Sequence, residues 1–157
     1  MTLSALRPLD LRRVHEIEMA CYAYPWTLDS FREVLAVASP FTNIAIRDQK
    51  GRVVAYIIFS EVADELHILN VAVDPAFRRY GLATVMLMRV HQQAVRRGRT
   101  QAFLEVRESN VSAQKLYAKF GYTSLGRRRD YYSDDHEDAI LMVAPLKKAS
   151  PKNGEQR

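Results

Sequence analysis

Apolar positions along the chain switch between helical and alternating or continuous spacing in a definite order. Leu11, Val14 and Ile17 keep helical spacing behind Asp10, which predicts a helix capped by Asp10 and ending near Cys21. Thr27, after Pro25-Trp26, predicts a second capped helix through about Val37, with Phe31, Val34 and Leu35 apolar and Ser39-Pro40 as its stop. Thr42–Arg47 and Arg52–Ser60 read as strands joined by the polar turn Asp48-Gln49-Lys50-Gly51, a hairpin. Glu61–Glu65 is expected to connect it to a third strand, Leu66–Val73, an apolar run broken only by His67 and Asn70 and ended by Asp74-Pro75.

Helical spacing returns at Ala83, Met86, Leu87, Val90 and Ala94, with Gly98 placed to end that helix and Arg96 and Arg97 suited to its last turn. Gln101–Val106 follows as a strand, and the loop Arg107–Asn110 caps a short helix, Val111–Phe120, terminated by Gly121. Tyr122–Arg128 and Asp138–Ala144 are the last strands, separated by the acidic, tyrosine-bearing stretch Arg129–Glu137. With a further short strand near Leu3–Arg7, this order predicts an α/β (α+β) fold whose mixed sheet carries helices on both faces. No internal repeat breaks it, so residues 1–146 are expected to form one domain.

Composition changes this picture little. At 157 residues, 48% hydrophobic and 26% charged, the chain is an ordinary globular sequence. The first residues place charges where a signal peptide needs an apolar core, and the longest apolar runs fall far short of the ~20 residues of a membrane span. The lone Cys21 matches a reducing compartment, so a cytoplasmic protein without membrane attachment is expected. The net charge of +5 suggests nucleic acid until its distribution is considered. Lys147, Lys148, Lys152 and Arg157 against Glu155 put +3 on residues 147–157, a polar tail expected to be disordered, and leave +2 for the body. Specific nucleic-acid binding is therefore not expected. His15, His67, His91 and His136 are dispersed without ligand spacing, which argues against a metal.

Candidate chemistry concentrates where the third strand meets the long helix. Arg78-Arg79-Tyr80-Gly81-Leu82-Ala83 opens that helix, whose first-turn N–H groups lack internal partners and whose dipole favours an anion. Small residues at Gly81 and Ala83 would let a pyrophosphate approach the backbone. A dinucleotide-binding Rossmann turn is a weaker reading, because it needs Gly-x-Gly-x-x-Gly and this loop has one glycine.

The run Arg78-x-x-Gly81-x-Ala83 resembles the acetyl-coenzyme-A pyrophosphate loop of the GNAT acyltransferase superfamily. The resemblance extends to Asn70-Val71-Ala72-Val73-Asp74-Pro75, Leu104-Glu105-Val106-Arg107-x-Ser109-Asn110, Ala113-x-x-Leu116-Tyr117-x-x-Phe120-Gly121-Tyr122, and Tyr131-Tyr132 followed by Glu137-Asp138-Ala139. With Tyr24-Pro25-Trp26-Thr27, the chain is similar over about residues 3–146 to the ribosomal-protein alanine N-acetyltransferase (RimI) group. That resemblance implies a GNAT-like, mostly antiparallel sheet of six to seven strands and acetyl-CoA as cosubstrate. It also implies a protein substrate with a free N-terminus, specifically a ribosomal protein.

It further implies roles for individual residues. Val71, Ala72 and Val73 would line the pantetheine arm, and Arg78, Arg79, Tyr80, Gly81, Leu82, Ala83 and Thr84 would hold the pyrophosphate, chiefly through main-chain N–H groups. Asn110 would contact the cofactor, Glu105 matches the general base and Tyr117 the general acid. An ordinary Glu near pKa ~4.3 is a feeble base, so it needs a raised pKa or a relaying water, whereas a Tyr near ~10 is a credible donor to a thiolate. An α-amine of pKa ~7.8 is roughly a tenth neutral at pH 7 and lysine only a few parts in ten thousand, so an N-terminal acceptor asks less of the base.

Each assignment has a plainer reading. Glu105 alone is a solvated strand-end carboxylate, Tyr117 packs with Leu116 and Phe120, Arg78 and Arg79 are loop charges, Asn110 is a cap, and Cys21 is a small buried residue. The stretch Ser133–Asp138 would ordinarily be a solvated turn; by family analogy it lies beside the peptide groove, where Asp134 or Asp135 would attract a basic peptide and Tyr131 or Tyr132 shape the groove. Two alternatives stay open: a GNAT enzyme acting on lysine or a small amine, and a ribosome-associated binding module without catalysis. Oligomeric state stays open too, a monomer included.

Overall fold

A computed structural model of the protein describes residues 1–147. In chain order its elements are β1 (Thr2–Ser4), α1 (Leu11–Cys21), α2 (Leu28–Leu35), β2 (Thr42–Arg47), β3 (Val53–Val62), β4 (Glu65–Val73), α3 (Leu82–Arg96), β5 (Gln101–Arg107), α4 (Val111–Lys119), β6 (Thr123–Arg128) and β7 (Ala139–Pro145). The strands form one sheet in the order β1-β2-β3-β4-β5-β7-β6, antiparallel at every junction except β4–β5. Of the expected tail, only Lys147 falls within the described residues.

Helices cover both faces, as the pattern implied. Val14 and Ile17 of α1 and Phe31 and Val34 of α2 pack on Ala45, Tyr56, Ile58 and Ala72. Met86, Leu87, Val90 and Ala94 of α3 and Tyr117 of α4 pack on Ile57, Phe59, Leu66, Ile68 and Leu104 from the other side. The first seven residues of β3 are all buried, which explains why Val53–Phe59 reads as a continuous apolar run rather than an alternating one.

Several boundaries differ from the sequence reading for identifiable reasons. β3 runs on to Val62, so Glu61–Glu65 is not a loop; the turn is Ala63-Asp64, with Ala63 at φ 53°. α2 ends at Leu35, because Ala36 turns extended before Ser39-Pro40 is reached. β1 stops at Ser4, before the 3-10 turn Pro8–Asp10. Asp10 stands at the N-cap position of α1, as expected, but its side chain makes no capping bond there. Its carboxylate instead accepts from the Arg7 N–H at 2.8 Å and pairs with the buried Arg47 at 2.7 Å, a charge-assisted bond stronger than a cap. Burial opposes its ionisation, but hydrogen bonds from Arg47 and Arg7 hold the carboxyl far below the usual carboxylate range.

One irregularity positions everything that follows. β4 pairs with β5 only from Glu65↔Gln101 to Ile68↔Leu104. Against β3, the register passes from Phe59↔Ile68 to Ile58↔Asn70, leaving Leu69 as the extra residue of a bulge. Beyond it β4 stays with β3 while β5 stays with β7, and the two central strands part into a wedge.

Candidate functional site

The wedge holds a cavity of about 280 Å³ bounded by β4 at Ile68–Val71, β5 at Leu104–Arg107, Tyr117 and Asn110 of the α4 side, and Glu18, Tyr22, Tyr24 and Trp26 of the α1–α2 side. The Val71 and Val73 carbonyls point away from β3, since they accept from the Tyr22 hydroxyl and, at 3.2 Å, from Cys21 Sγ. The N–H groups of the same two residues therefore also face the wedge, where β5 is too far away to take them. Extended amides of a pantetheine-like arm fit such an edge. Ala72 points the other way, into the α1–α2 core at 3% exposure, so its side chain lines no arm.

At the outer end of β4 the chain turns through Pro75–Phe77 into the loop before α3. Arg79 (φ 69°) and Gly81 (φ 71°) are both left-handed, bracketing Tyr80, and the first bond into the helix runs from Val85 N–H to the Gly81 carbonyl at 3.0 Å. Main-chain N–H groups of residues 79–84 have no acceptor among the described residues. That run of free donors at the start of a fifteen-residue helix could hold a phosphate-bearing group. Arg78, Arg79, Tyr80 and Thr84 are exposed around it and Ala83 is half-buried, while the Leu82 side chain is in the core and only its N–H is available. Arg78 reaches back to Cys21 Sγ at 3.7 Å.

Glu105 stands near the end of β5, one-quarter exposed, with Arg128 Nε at 3.3 Å from its Oε1. A second cavity, about 810 Å³, spreads from it across the uncovered sheet face past His67, Phe103, Leu141, Arg128 and Tyr131. Both cavities share Trp26, Ile68, Leu69, Leu104, Glu105 and Tyr132, so the carboxylate stands where they meet. Tyr117 lines the wedge only and is buried, its ring 5.7 Å from that of Tyr122. Burial, and then the neighbouring Tyr132, push its hydroxyl up to about 12. The phenol thus keeps its proton at any working pH and can offer it as a hydrogen bond, but gives it up reluctantly. Asn110 caps α4 by accepting from the Ala113 N–H at 3.2 Å and also lines the wedge, so both roles foreseen for it are compatible.

The β6–β7 loop, residues 129–138, forms the outer wall. Tyr131 is exposed and packs edge-on against Tyr132 at 5.1 Å. The Glu105 carboxylate, then burial, raises the Tyr131 hydroxyl. Asp134 and Asp135, expected to attract a basic peptide, are not free: Arg107 takes them at 2.7 and 2.9 Å, and Glu137 at 3.4 Å. Three carboxylates around one guanidinium still leave an excess of negative charge.

Sequence reading missed Arg107 as anything but a loop residue, and it missed Glu18. The Glu18 carboxylate is 1% exposed and makes no salt bridge among the described residues; it accepts from the Trp26 N–H and Asn70 Nδ2, both at 3.0 Å, and from the Tyr56 hydroxyl. A signal was present. Glu18 continues the Val14, Ile17 apolar spacing at a position where an apolar residue belongs, and such a carboxylate must find buried donors. Among the described residues, no group of three His, Cys, Asp or Glu side chains is placed to hold a metal.

Comparison with known proteins gives a consistent picture. The sequence profile of the acetyltransferase (GNAT) family matches residues 11–122. The [ribosomal protein bS18]-alanine N-acetyltransferase of Escherichia coli (strain K12) is 35% identical over 147 residues, covering 92% of this chain and 97% of that protein. A putative enzyme of the same name from Bacillus subtilis (strain 168) is 34% identical, covering 87% and 90%. The crystal structure of the ribosomal-protein-S18-alanine N-acetyltransferase from Escherichia coli superposes with a TM-score of 0.82 at 34% identity, over 96% of this chain and 97% of that one.

Proposed function

The chain belongs to the GNAT acetyltransferase family, and from that premise we propose that it moves acetyl from acetyl-CoA to the N-terminal α-amine of a protein, specifically the N-terminal alanine of a small-subunit ribosomal protein. The observation that carries this reading is Glu105, which belongs to both cavities at once. A carboxylate at the junction of a cofactor wedge and an open trough serves direct attack in a ternary complex. Acetyl-CoA supplies the thioester carbonyl. Around it, the N–H groups of residues 79–84 hold the pyrophosphate, those of Val71 and Val73 orient the arm, and Asn110 contacts it from the start of α4. Glu105 accepts the ammonium proton of the incoming N-terminus, directly or through a water, displacing Arg128 from its oxygen. The neutral amine then attacks the thioester carbonyl, the C–N bond forms as the C–S bond breaks, and the proton shed by the nitrogen passes to the departing sulfur, whose developing charge Tyr117 stabilises by a hydrogen bond.

Tyr131 and Tyr132 shape the entrance for the peptide, and the surplus charge of Asp134 and Asp135 around Arg107 favours a basic one. The size and openness of the trough suit a polypeptide better than a small amine. A protein acceptor of this kind places the enzyme in the cytoplasm, and no described helix is long and apolar enough to cross a membrane. The test is incubation with acetyl-CoA and peptides that differ only in offering a free N-terminal alanine or an internal lysine, followed by mass spectrometry to locate the acetyl group. Acetyl on the N-terminus is expected; acetyl on lysine with an untouched N-terminus overturns the proposal.

A further inference from the structure

Two loops with little secondary structure of their own stand where the wedge and the trough meet: residues 22–27 between α1 and α2, and residues 129–138 between β6 and β7. Neither is tied to the other by a backbone ladder. Both converge on one side chain. Arg107 ends β5, two residues from Glu105, and the alternation of burial along β5 turns both side chains to the same face. Its guanidinium lies 3.9 Å from the Tyr132 ring centroid and 4.9 Å from that of Tyr24. Its edge donates to Asp134 at 2.7 Å, Asp135 at 2.9 Å and Glu137 at 3.4 Å. Glu137 in turn accepts from the Ser109 N–H at 2.6 Å, which binds the far end of the loop to the start of α4.

We propose that Arg107 is a positioning residue for acceptor binding: it clamps the α1–α2 loop and the β6–β7 loop onto the catalytic strand, fixing the width of the peptide entrance beside Glu105. Only an arginine does this with one group. A planar guanidinium stacks on aromatic rings through its faces while its edge donates to carboxylates in a fork, whereas a lysine ammonium is a point charge with neither property. The arrangement is also one-sided. Every side-chain partner of Arg107 comes from one of the two loops, residues 22–27 or 129–138, and none comes from residues 78–84. Loss of the clamp therefore widens the entrance and leaves the pyrophosphate loop alone.

This inference rests on the reading of the trough as a peptide site, and the experiment separates the two. Arg107→Gln and Arg107→Lys are compared with the wild type in steady-state kinetics against an N-terminal peptide, and in hydrogen exchange of residues 22–27 and 130–138. Both variants are expected to raise the peptide KM by about tenfold or more, the scale on which small misplacements of a substrate are felt, with the acetyl-CoA KM within about twofold. Exchange in both loops is expected to rise together. A folded Arg107→Gln protein with unchanged peptide KM and unchanged exchange overturns the clamp, and so does full rescue by Arg107→Lys, which would assign the effect to charge alone. If the variants unfold, Tyr24→Leu, which removes one stacked ring, carries the same test: faster exchange in residues 22–27 and a raised peptide KM support the clamp, and no change in either overturns it. Should the wild type acetylate no peptide N-terminus, the proposed function fails, and loop exchange still decides the clamp.

Discussion

The loop before α3 and the wall around Arg107 both manage charge, by opposite means. Residues 79–84 present main-chain N–H groups in a run, so the recognition element is a stretch of backbone whose shape is set by two left-handed residues. The Arg107 wall is built from side chains at positions 24, 107, 132, 134, 135 and 137, which reach one another only once the sheet has formed. The first region tolerates nearly any side chain that leaves its backbone in place; the second depends on each. A cosubstrate common to a whole family suits the first kind of site and an acceptor that differs between enzymes suits the second.

Replacing Glu105, the carboxylate common to both cavities, tests that division hardest. Glu105→Gln is expected to lower kcat by about 100-fold or more while acetyl-CoA affinity stays within about twofold, because the substitution removes a proton acceptor and keeps the shape. Stopped-flow binding of the cofactor beside turnover measures both. A large loss of cofactor affinity would mean that the two regions are not separable at this residue.

Tyr117→Phe is next in size, with kcat expected to fall about tenfold from the loss of one hydrogen bond to developing charge. The pH–rate profile discriminates further. With its hydroxyl near 12, Tyr117 contributes no alkaline limb below about pH 10, so the phenylalanine variant keeps the wild-type profile shape at a lower level. A limb that vanishes with the hydroxyl would reject the reading of Tyr117 as a donor that never ionises.

The cofactor loop gives a smaller and purely conformational effect. A Cβ at Gly81 meets nothing within 4 Å, so Gly81→Ala is disfavoured only by its φ of 71°. The cost is about 1 kcal/mol, which corresponds to a roughly fivefold weaker acetyl-CoA Kd if the strain is relieved by turning the N–H groups away. Asn at this position, which tolerates the left-handed region, is expected to fall between the two. Peptide KM stays unchanged in both, the mirror image of the Arg107 variants.

The same division explains what could be read from the chain. Arg78-x-x-Gly81-x-Ala83 was legible because backbone shape is written locally, by a glycine, a small residue and a helix start. Strands and helices were legible by their periodicity, and the family's motifs pointed to Glu105, Asn110 and Tyr117, which line one cavity. The role of Arg107 was not legible, although the residue stands in a quoted motif, because its partners come from two distant segments, one at Tyr24 and one at residues 132–137. The Leu69 bulge escaped as well: its flanks read as an unbroken apolar strand, and only the competing registers with β3 and β5 expose the extra residue. Asp10 looked like a cap because Arg47, which captures it, lies 37 positions away.

The smallest effect lies in the scaffold that joins the two regions. His91 sits midway along α3, with Nε2 2.8 Å from the Tyr122 hydroxyl and its ring against Phe120, and so links the helix that begins at the phosphate loop to the end of α4, which carries Tyr117. Burial pushes its pKa down from 6.5 to about 4, so the folded protein holds the ring neutral. In the unfolded chain the ring protonates near 6.5, and between those values the unfolded state binds more protons. Stability is therefore complete above pH 6.5 and declines as the pH falls towards 4, by about 0.7 kcal/mol between pH 7 and pH 6. Urea unfolding at the two pH values should show that difference in the wild type and lose it in His91→Gln. At each pH the KM for acetyl-CoA and for peptide should be the same in His91→Gln as in the wild type, because His91 touches neither the loop at 78–84 nor the Arg107 wall. A peptide KM that moved with the His91 substitution would mean that α3 transmits to the acceptor side, and that the two regions are coupled through the scaffold.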